Sequence, residues 1–306
     1  MHESKYIWMD GELVDWTQAT IHVLTHAFHY ATAVFEGIRC FDTERGPAIF
    51  RLEEHINRFA DSMKIYMMKL SYSQEEIRSA VKRTVASNGL KECYIRPIAY
   101  YAYGEMGLNP LPNEVRLAIS AWDWPTYLGE KAEKDGLKCQ VSSWRRIHSS
   151  ALPPQAKATA NYANSALAKI EALKGGYDEA ILLNLENMVA EGTGENIFRV
   201  KDGVLSTPPA SSGVLRGITR DTIITLAKDQ GIEFRRNDIS REELYTSDEL
   251  LLTGTAAGVT PVREVDGRSI GKSGEWPIAR RLRDDYLEVV HGRNRRHTDW
   301  LDFLSR

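Results

Sequence analysis

The sequence has little cysteine. Cys40, Cys93 and Cys139 are widely spaced and form no C-x-x-C pair. That pattern argues against a disulfide framework and a cysteine zinc site, and it points to a reducing, cytoplasmic compartment. An excess of either charge is also missing: 39 lysines and arginines against 42 acids leave a net charge of −3. No electrostatic case exists for a nucleic-acid partner, and Arg293-Asn294-Arg295-Arg296 reads as a solvated face. No apolar run approaches the ~18 residues needed to span a bilayer. The opening MHESKYIWMDG has no apolar signal core and runs straight into strand-like sequence. His26 and His29 lack a supporting cysteine or carboxylate cluster. Both are read as structural, and no metal is expected.

What is present suits a soluble globular chain with two domains. Its 306 residues exceed most single cores, and 42% are hydrophobic against 26% charged. Asp10-Gly11, Asp202-Gly203 and Asp266-Gly267 each lie between strand-like runs. Each predicts a tight hairpin, because such turns need positive φ at their central residues. Leu52, Ile56, Phe59 and Met63 recur as a helical stripe. Ser73 with Glu76, and Ser240 with Glu243, read as capping boxes. Further helices are expected through Ala163, Leu167 and Ile170, taken as packing positions, from Thr219, and from Pro277. Strand candidates are YIRPIAYYAY, VRLAISAW, DEAILLN and ELLLTG. The mixed segment from Pro125 to Gly136 reads as an interdomain connection. The expected architecture is α+β: residues 1–124 as a small N-terminal domain, 125–136 as a loop, and 137–306 as a larger C-terminal domain.

Two glycine-rich segments resemble nucleotide motifs and fail on spacing. GRSIGKS, Gly267 to Ser273, has three residues between its glycines where the phosphate loop needs four. GTGENIF, Gly192 to Phe198, lacks the third glycine of a dinucleotide fingerprint.

The remaining features are weak singly and specific in order. Lys157 stands in QAKATANYANSALA, with Tyr162 five residues on. An acid follows in EGTGEN, then RGITR at a helix start, then TGTAAGVTPVR. This series resembles the fold-type IV pyridoxal-phosphate enzymes, the D-amino acid aminotransferase-like fold. Within that class IV aminotransferase group it is similar to the branched-chain amino acid aminotransferases. The resemblance runs from YIWMDGELV through HYATAVFEGIRCF, RLEEHINRF, CYIRPIAY, SSWRR, AKATANY, GYDEAILLN and EGTGENIFRVKDGVL to GITRDTI and GTAAGVTPVREVDG, nearly the whole chain.

The resemblance implies pyridoxal 5'-phosphate as cofactor, held mainly by the C-terminal domain. Lys157 is then its covalent anchor and the proton carrier, and must be neutral to attack. Glu191 faces the ring nitrogen and keeps it protonated; Glu195 competes for that role on chemistry alone. Tyr162 donates to the phenolic oxygen. Arg58, Thr255 and the helix-start N–H groups of Ile218 and Thr219 hold the phosphate. Tyr30, Phe35, Trp124 and Tyr127 wall an apolar substrate pocket. Thr255 and Ala256 hold the α-carboxylate, Tyr94 supports that end, and Arg96 takes the distal carboxylate of 2-oxoglutarate or glutamate.

The implied reaction moves an amino group between L-leucine, L-isoleucine or L-valine and 2-oxoglutarate. The implied assembly has a homodimer as minimal unit and leaves a hexamer open, with loops around Tyr30 and Leu108 closing the neighbour's site. Rival activities on the fold are a D-amino acid aminotransferase and an aminodeoxychorismate lyase. The first expects a histidine two residues after its pocket arginine. Here Arg96 is followed by Pro97 and Ile98.

Overall fold

The computed structural model describes residues 3–124, 134–272 and 274–304. The chain divides into two compact units. One comprises Met1–Pro125, Ala156–Ala160 and Val289–Arg306; the other comprises Thr126–Gln155 and Asn161–Glu288. Most of the expected connection falls on residues 125–133, which lie outside the described residues, as does Tyr127.

The expected assignment of everything after residue 136 to one domain is corrected in two places. Residues 156–160 belong to the first unit because their backbone bonds there: Phe35 N–H donates to Lys157 O at 2.9 Å, and Ala158 bridges Val34. The C-terminal segment belongs there because strand Leu301–Phe303 pairs with Ala48–Phe50.

The first unit is built on a sheet of eight strands among the described residues. Its order is Leu301–Phe303, Ala48–Phe50, Ile38–Phe41, Cys93–Tyr101, Val115–Trp122, Tyr6–Met9 and Glu12–Asp15, with Ala33–Phe35 also paired to Cys93–Tyr101. Helices Leu52–Ile65 and Gln74–Ser87 pack on it. Ile56, Phe59, Val81 and Val85 meet Ile95, Leu117 and Ile119 in one core. Ala156 and Ala158 are buried in that same core. The Ser73–Glu76 capping box is formed, with both reciprocal bonds present.

The second unit has a mixed sheet of nine strands among the described residues. Leu137–Arg145 is central and runs parallel to Glu179–Leu183 and to Gly258–Val265. All three Asp-Gly hairpins form, across Tyr6–Met9/Glu12–Asp15, Asn196–Lys201/Val204–Thr207 and Gly258–Val265/Arg268–Ser269. The three aspartates hold φ of 46°, 51° and 49°, as such turns require.

Helix Thr159–Lys174 overturns one packing expectation. Ala163, Leu167 and Ile170 are exposed, while Asn161, Ser165, Ala168 and Ala172 are buried. Ala168 and Ala172 lie against Ala180 and Leu182 of the sheet. Small side chains let the helix approach the strands closely, so the bulkier apolar face turns outward. In the segment resembling a phosphate loop, residues 267–272 form a turn and a short strand, and among the described residues the next helix begins only at Pro277.

Candidate active site

In the first unit, Lys157 sits at the end of a closed circuit of bonds. Its N–H donates to Ser62 Oγ at 3.0 Å, and Ser62 Oγ–H donates to Arg58 O at 2.9 Å. The Arg58 guanidinium donates twice to Glu36, Nε to Oε1 at 2.7 Å and Nη2 to Oε2 at 2.8 Å. Glu36 follows Phe35, whose N–H returns to Lys157 O. His55 Nδ1 completes the cluster, 2.7 Å from Glu36 Oε2. Glu36 is fully buried. Burial opposes its ionisation, but the Arg58 charge and the His55 contact outweigh it and hold the carboxyl well below the usual range. Burial, and then the charges of Arg58 and Lys157, depress His55 against the opposing pull of Glu36.

Aromatic rings surround the lysine. Lys157 Nζ lies 4.9 Å from the Phe35 ring centre, and the Arg96 guanidinium lies 4.7 Å from the same ring. Arg96 also stacks on Tyr94 and Trp122 and donates to Tyr94 Oη at 3.0 Å. Trp124 packs edge-on against Tyr94 at 4.6 Å and stacks on Trp122 at 5.6 Å. Gly37 leaves room for the Tyr94 hydroxyl, which a β-carbon there would strike. The chain thus gathers Lys157, Phe35, Tyr94, Arg96 and Trp124, and adds Trp122, which sequence reasoning missed. Tyr30 and Leu108 are exposed. They belong to neighbouring segments: Tyr30 Oη donates to Met106 O at 3.1 Å, and His26 Nε2 lies 2.8 Å from Gly107 O.

In the second unit, Glu191 is nearly buried on strand Val189–Gly192, where a bulge after Val189 resets the register. Three donors hold its carboxylate. Arg146 Nη2 lies 2.8 Å from Oε1. Asn196 Nδ2 and Leu215 N each donate to Oε2 at 3.0 Å. Neither Arg146 nor Asn196 was singled out from the sequence, although SSWRR and EGTGEN contain them.

The competition between the two acids of EGTGEN has a physical answer. Glu195 is fully buried, and that burial, followed by the facing Glu179 carboxylate, pushes its carboxyl up to about 8. Gly194 N–H, donating at 3.1 Å, and Lys169 pull the other way without prevailing. Glu179 itself is engaged by Lys169 Nζ, Thr193 Oγ and Ala180 N. Glu195 is therefore pushed toward its neutral form, whereas Glu191 is paired with a cation. A cationic ring nitrogen fits Glu191.

Helix Ile218–Asp229 opens at Gly217, which has no side chain to cap it. The first N–H groups of this helix, including those of Ile218 and Thr219, suit a phosphate. Thr255 and Ala256 lie in the turn joining Glu249–Gly254 to Gly258–Val265, half-buried. Tyr162 is half-buried on the first turns of helix Thr159–Lys174. Among the described residues no group of His, Cys, Asp and Glu is arranged to hold a metal.

Each unit supplies part of what pyridoxal phosphate needs: the first an amine at Lys157, the second a cation-paired carboxylate for the ring nitrogen and helix N–H groups for a phosphate. Comparison with known proteins agrees. Residues 33–265 match the model of the amino-transferase class IV family. A branched-chain-amino-acid aminotransferase of Pseudomonas aeruginosa is 47% identical over 96% of this chain and 95% of its own. That of Escherichia coli K12 is 44% identical over 99% of both. Among solved structures, a T.th. branched-chain amino acid aminotransferase complexed with N-(5'-phosphopyridoxyl)-L-glutamate superposes with a TM-score of 0.95, at 45% identity over 100% of both chains. On this agreement of motifs, fold and site, the chain belongs to the class IV amino-transferase family.

Proposed function

We propose that this chain is a branched-chain amino acid aminotransferase that uses pyridoxal 5'-phosphate. It transfers the amino group of L-leucine, L-isoleucine or L-valine to 2-oxoglutarate by a ping-pong course. The observation that carries the reading is the Phe35 ring, which has the Lys157 amine and the Arg96 guanidinium against it. A reacting amine, an apolar wall and a carboxylate acceptor thus share one cluster. The relatives support the two-substrate pocket: one structure of the T.th. enzyme carries a glutamate adduct and another 4-methylvaleric acid, a branched acid.

When bound, the cofactor supplies an electrophilic carbon and an electron-withdrawing ring. Lys157 would anchor it and, with its amine free, would take the proton from the substrate Cα as general base and return it as acid. Glu191, beside the Arg146 cation, would face the ring nitrogen and favour its protonated form. Tyr162 donates to the phenolic oxygen. The family resemblance assigns Arg58, fixed by Glu36, and Thr255 with the N–H groups of Ile218 and Thr219 to the phosphate. Thr255 and Ala256 N–H groups take the α-carboxylate, and Tyr94 supports that end. Phe35 and Trp124 exclude water from a branched side chain, whose burial stabilises by about 1.5–3 kcal/mol. Arg96 receives the distal carboxylate of 2-oxoglutarate, which enters after the branched 2-oxo acid leaves. The minimal unit is a homodimer, with Tyr30 and Leu108 of one subunit closing the other's site.

Assaying L-leucine and D-alanine separately, each with 2-oxoglutarate, tests this. Glutamate formation with L-leucine at least about 100-fold faster than with D-alanine is expected, a transition-state difference of roughly 3 kcal/mol. A preference for D-alanine would overturn the reading in favour of the D-amino acid enzyme.

A further inference from the structure

The carboxylate assigned to the ring nitrogen and the helix assigned to the phosphate meet at one side chain. Asn196 is nearly buried at the start of strand Asn196–Lys201. Its Nδ2 donates to Glu191 Oε2 and to Leu215 O, both at 3.0 Å. Both partners are acceptors, so the amide orientation is forced: the NH2 group must face them and Oδ1 must face away. Leu215 N–H donates to the same Glu191 oxygen at 3.0 Å. Glu191, Asn196 and the Leu215 backbone therefore close a three-membered ring of bonds.

The other amide atom reaches the helix. A β-carbon on Gly217 would collide with Asn196 Oδ1. Gly217 has φ −68° and ψ 134°, ordinary values for any residue. Glycine at this position is thus required for space, to let the asparagine seat against the backbone that opens helix Ile218–Asp229.

From this geometry we infer that Asn196 is a positioning residue that fixes the Glu191 carboxylate against the N-terminus of helix Ile218–Asp229. It sets the separation between the ring-nitrogen and phosphate ends of the cofactor site. The inference rests on the roles proposed above for Glu191, Ile218 and Thr219. Arg146 also holds Glu191 and donates to Gly213 O at 3.2 Å, but it is Asn196 whose Oδ1 seats against Gly217, where the helix opens.

The test is a cycle of Gly217→Ala, Asn196→Ala and the double variant. Cofactor dissociation constants are measured for pyridoxal phosphate and for pyridoxal, which lacks the phosphate. The pH titration of the bound cofactor's visible absorbance reports the ring end. The Gly217→Ala methyl should press on Oδ1 and weaken pyridoxal phosphate binding at least about tenfold, as overpacking does. It should lower the preference for pyridoxal phosphate over pyridoxal and shift the absorbance titration as well. Removing the Asn196 side chain should relieve the collision, so the double variant binds more tightly than Gly217→Ala alone. Independent effects that multiply in the double variant would overturn the coupling. So would loss at the phosphate end with an unchanged titration. A wild-type protein that gains no visible absorbance with pyridoxal phosphate would sink the proposed function. The same cycle read by urea unfolding of the cofactor-free protein would still judge the coupling, non-additivity supporting it and additivity contradicting it.

Discussion

Two buried carboxylates in this molecule have opposite fates. Glu36, in the first unit, is enclosed by Arg58 and His55 and is held ionised against its burial. Glu195, in the second, is buried as deeply but faces Glu179, and its carboxyl rises to about 8. Burial is common to both, so it does not decide charge; the neighbours do. Glu191, only four residues from Glu195, is paired with the Arg146 guanidinium at 2.8 Å. The same sequence motif thus places one acid against a cation and another against a second carboxylate.

The sharpest way to break this comparison is to strip the first cluster. Glu36→Ala removes the carboxylate that Arg58 and His55 share. It should cost about 3–5 kcal/mol, the usual penalty for removing one partner of a buried ion pair, measured by urea unfolding. A cost near zero would show that Glu36 does not hold the cluster together.

The second cluster should respond to pH with a definite sign. The folded value of Glu195, about 8, lies above the ordinary carboxyl value of 4.5. Between those values the folded protein binds the proton more tightly, so this residue's contribution to stability falls as pH rises. Glu195→Gln keeps the shape and removes the titration. Its stability relative to wild type should therefore improve between pH 5 and pH 9, by on the order of a few kcal/mol. Glu36, with a depressed folded value, has the reverse sign, its contribution lost as pH falls. A flat difference between wild type and Glu195→Gln in thermal unfolding would contradict the neutral assignment.

The smallest effect is a control outside both clusters. Ser73→Ala removes the capping box of helix Gln74–Ser87 and should cost about 1 kcal/mol in unfolding. The pH dependence of cofactor absorbance should not move. If it did, stability in general would be controlling the spectrum.

The sequence made local features legible and distant ones obscure. The Asp-Gly hairpins and the capping boxes depend on a few adjacent residues, and all formed. Helix Thr159–Lys174 was foreseen, but its buried face was not. Periodicity marks a stripe, and here the bulkier stripe, Leu167 and Ile170, faces out while alanines meet the sheet. The same limit applied at the site. Lys157 and Glu191 stood out through the order of their motifs. Arg146, Glu36 and His55 act through partners far away in sequence, and Ser62 and Asn196 each link a near partner to a distant one, so local pattern did not mark them. Glu36 in VFEGIR, Arg146 in SSWRR and Asn196 in EGTGEN did lie inside recognised segments, and that was their only signal. The inclusion of residues 156–160 in the first unit was equally hidden, because it depends on strand Ala33–Phe35.

The central claim is that Lys157 is the covalent anchor and proton carrier of a pyridoxal-phosphate aminotransferase. It is tested most directly by visible absorbance of purified wild type and Lys157→Ala after adding pyridoxal phosphate, before and after L-leucine. Wild type should turn yellow, and L-leucine should bleach that band. Lys157→Ala should lack the wild-type band and lose nearly all turnover, on the order of 1,000-fold or more. A variant that kept both the band and the turnover would contradict the account.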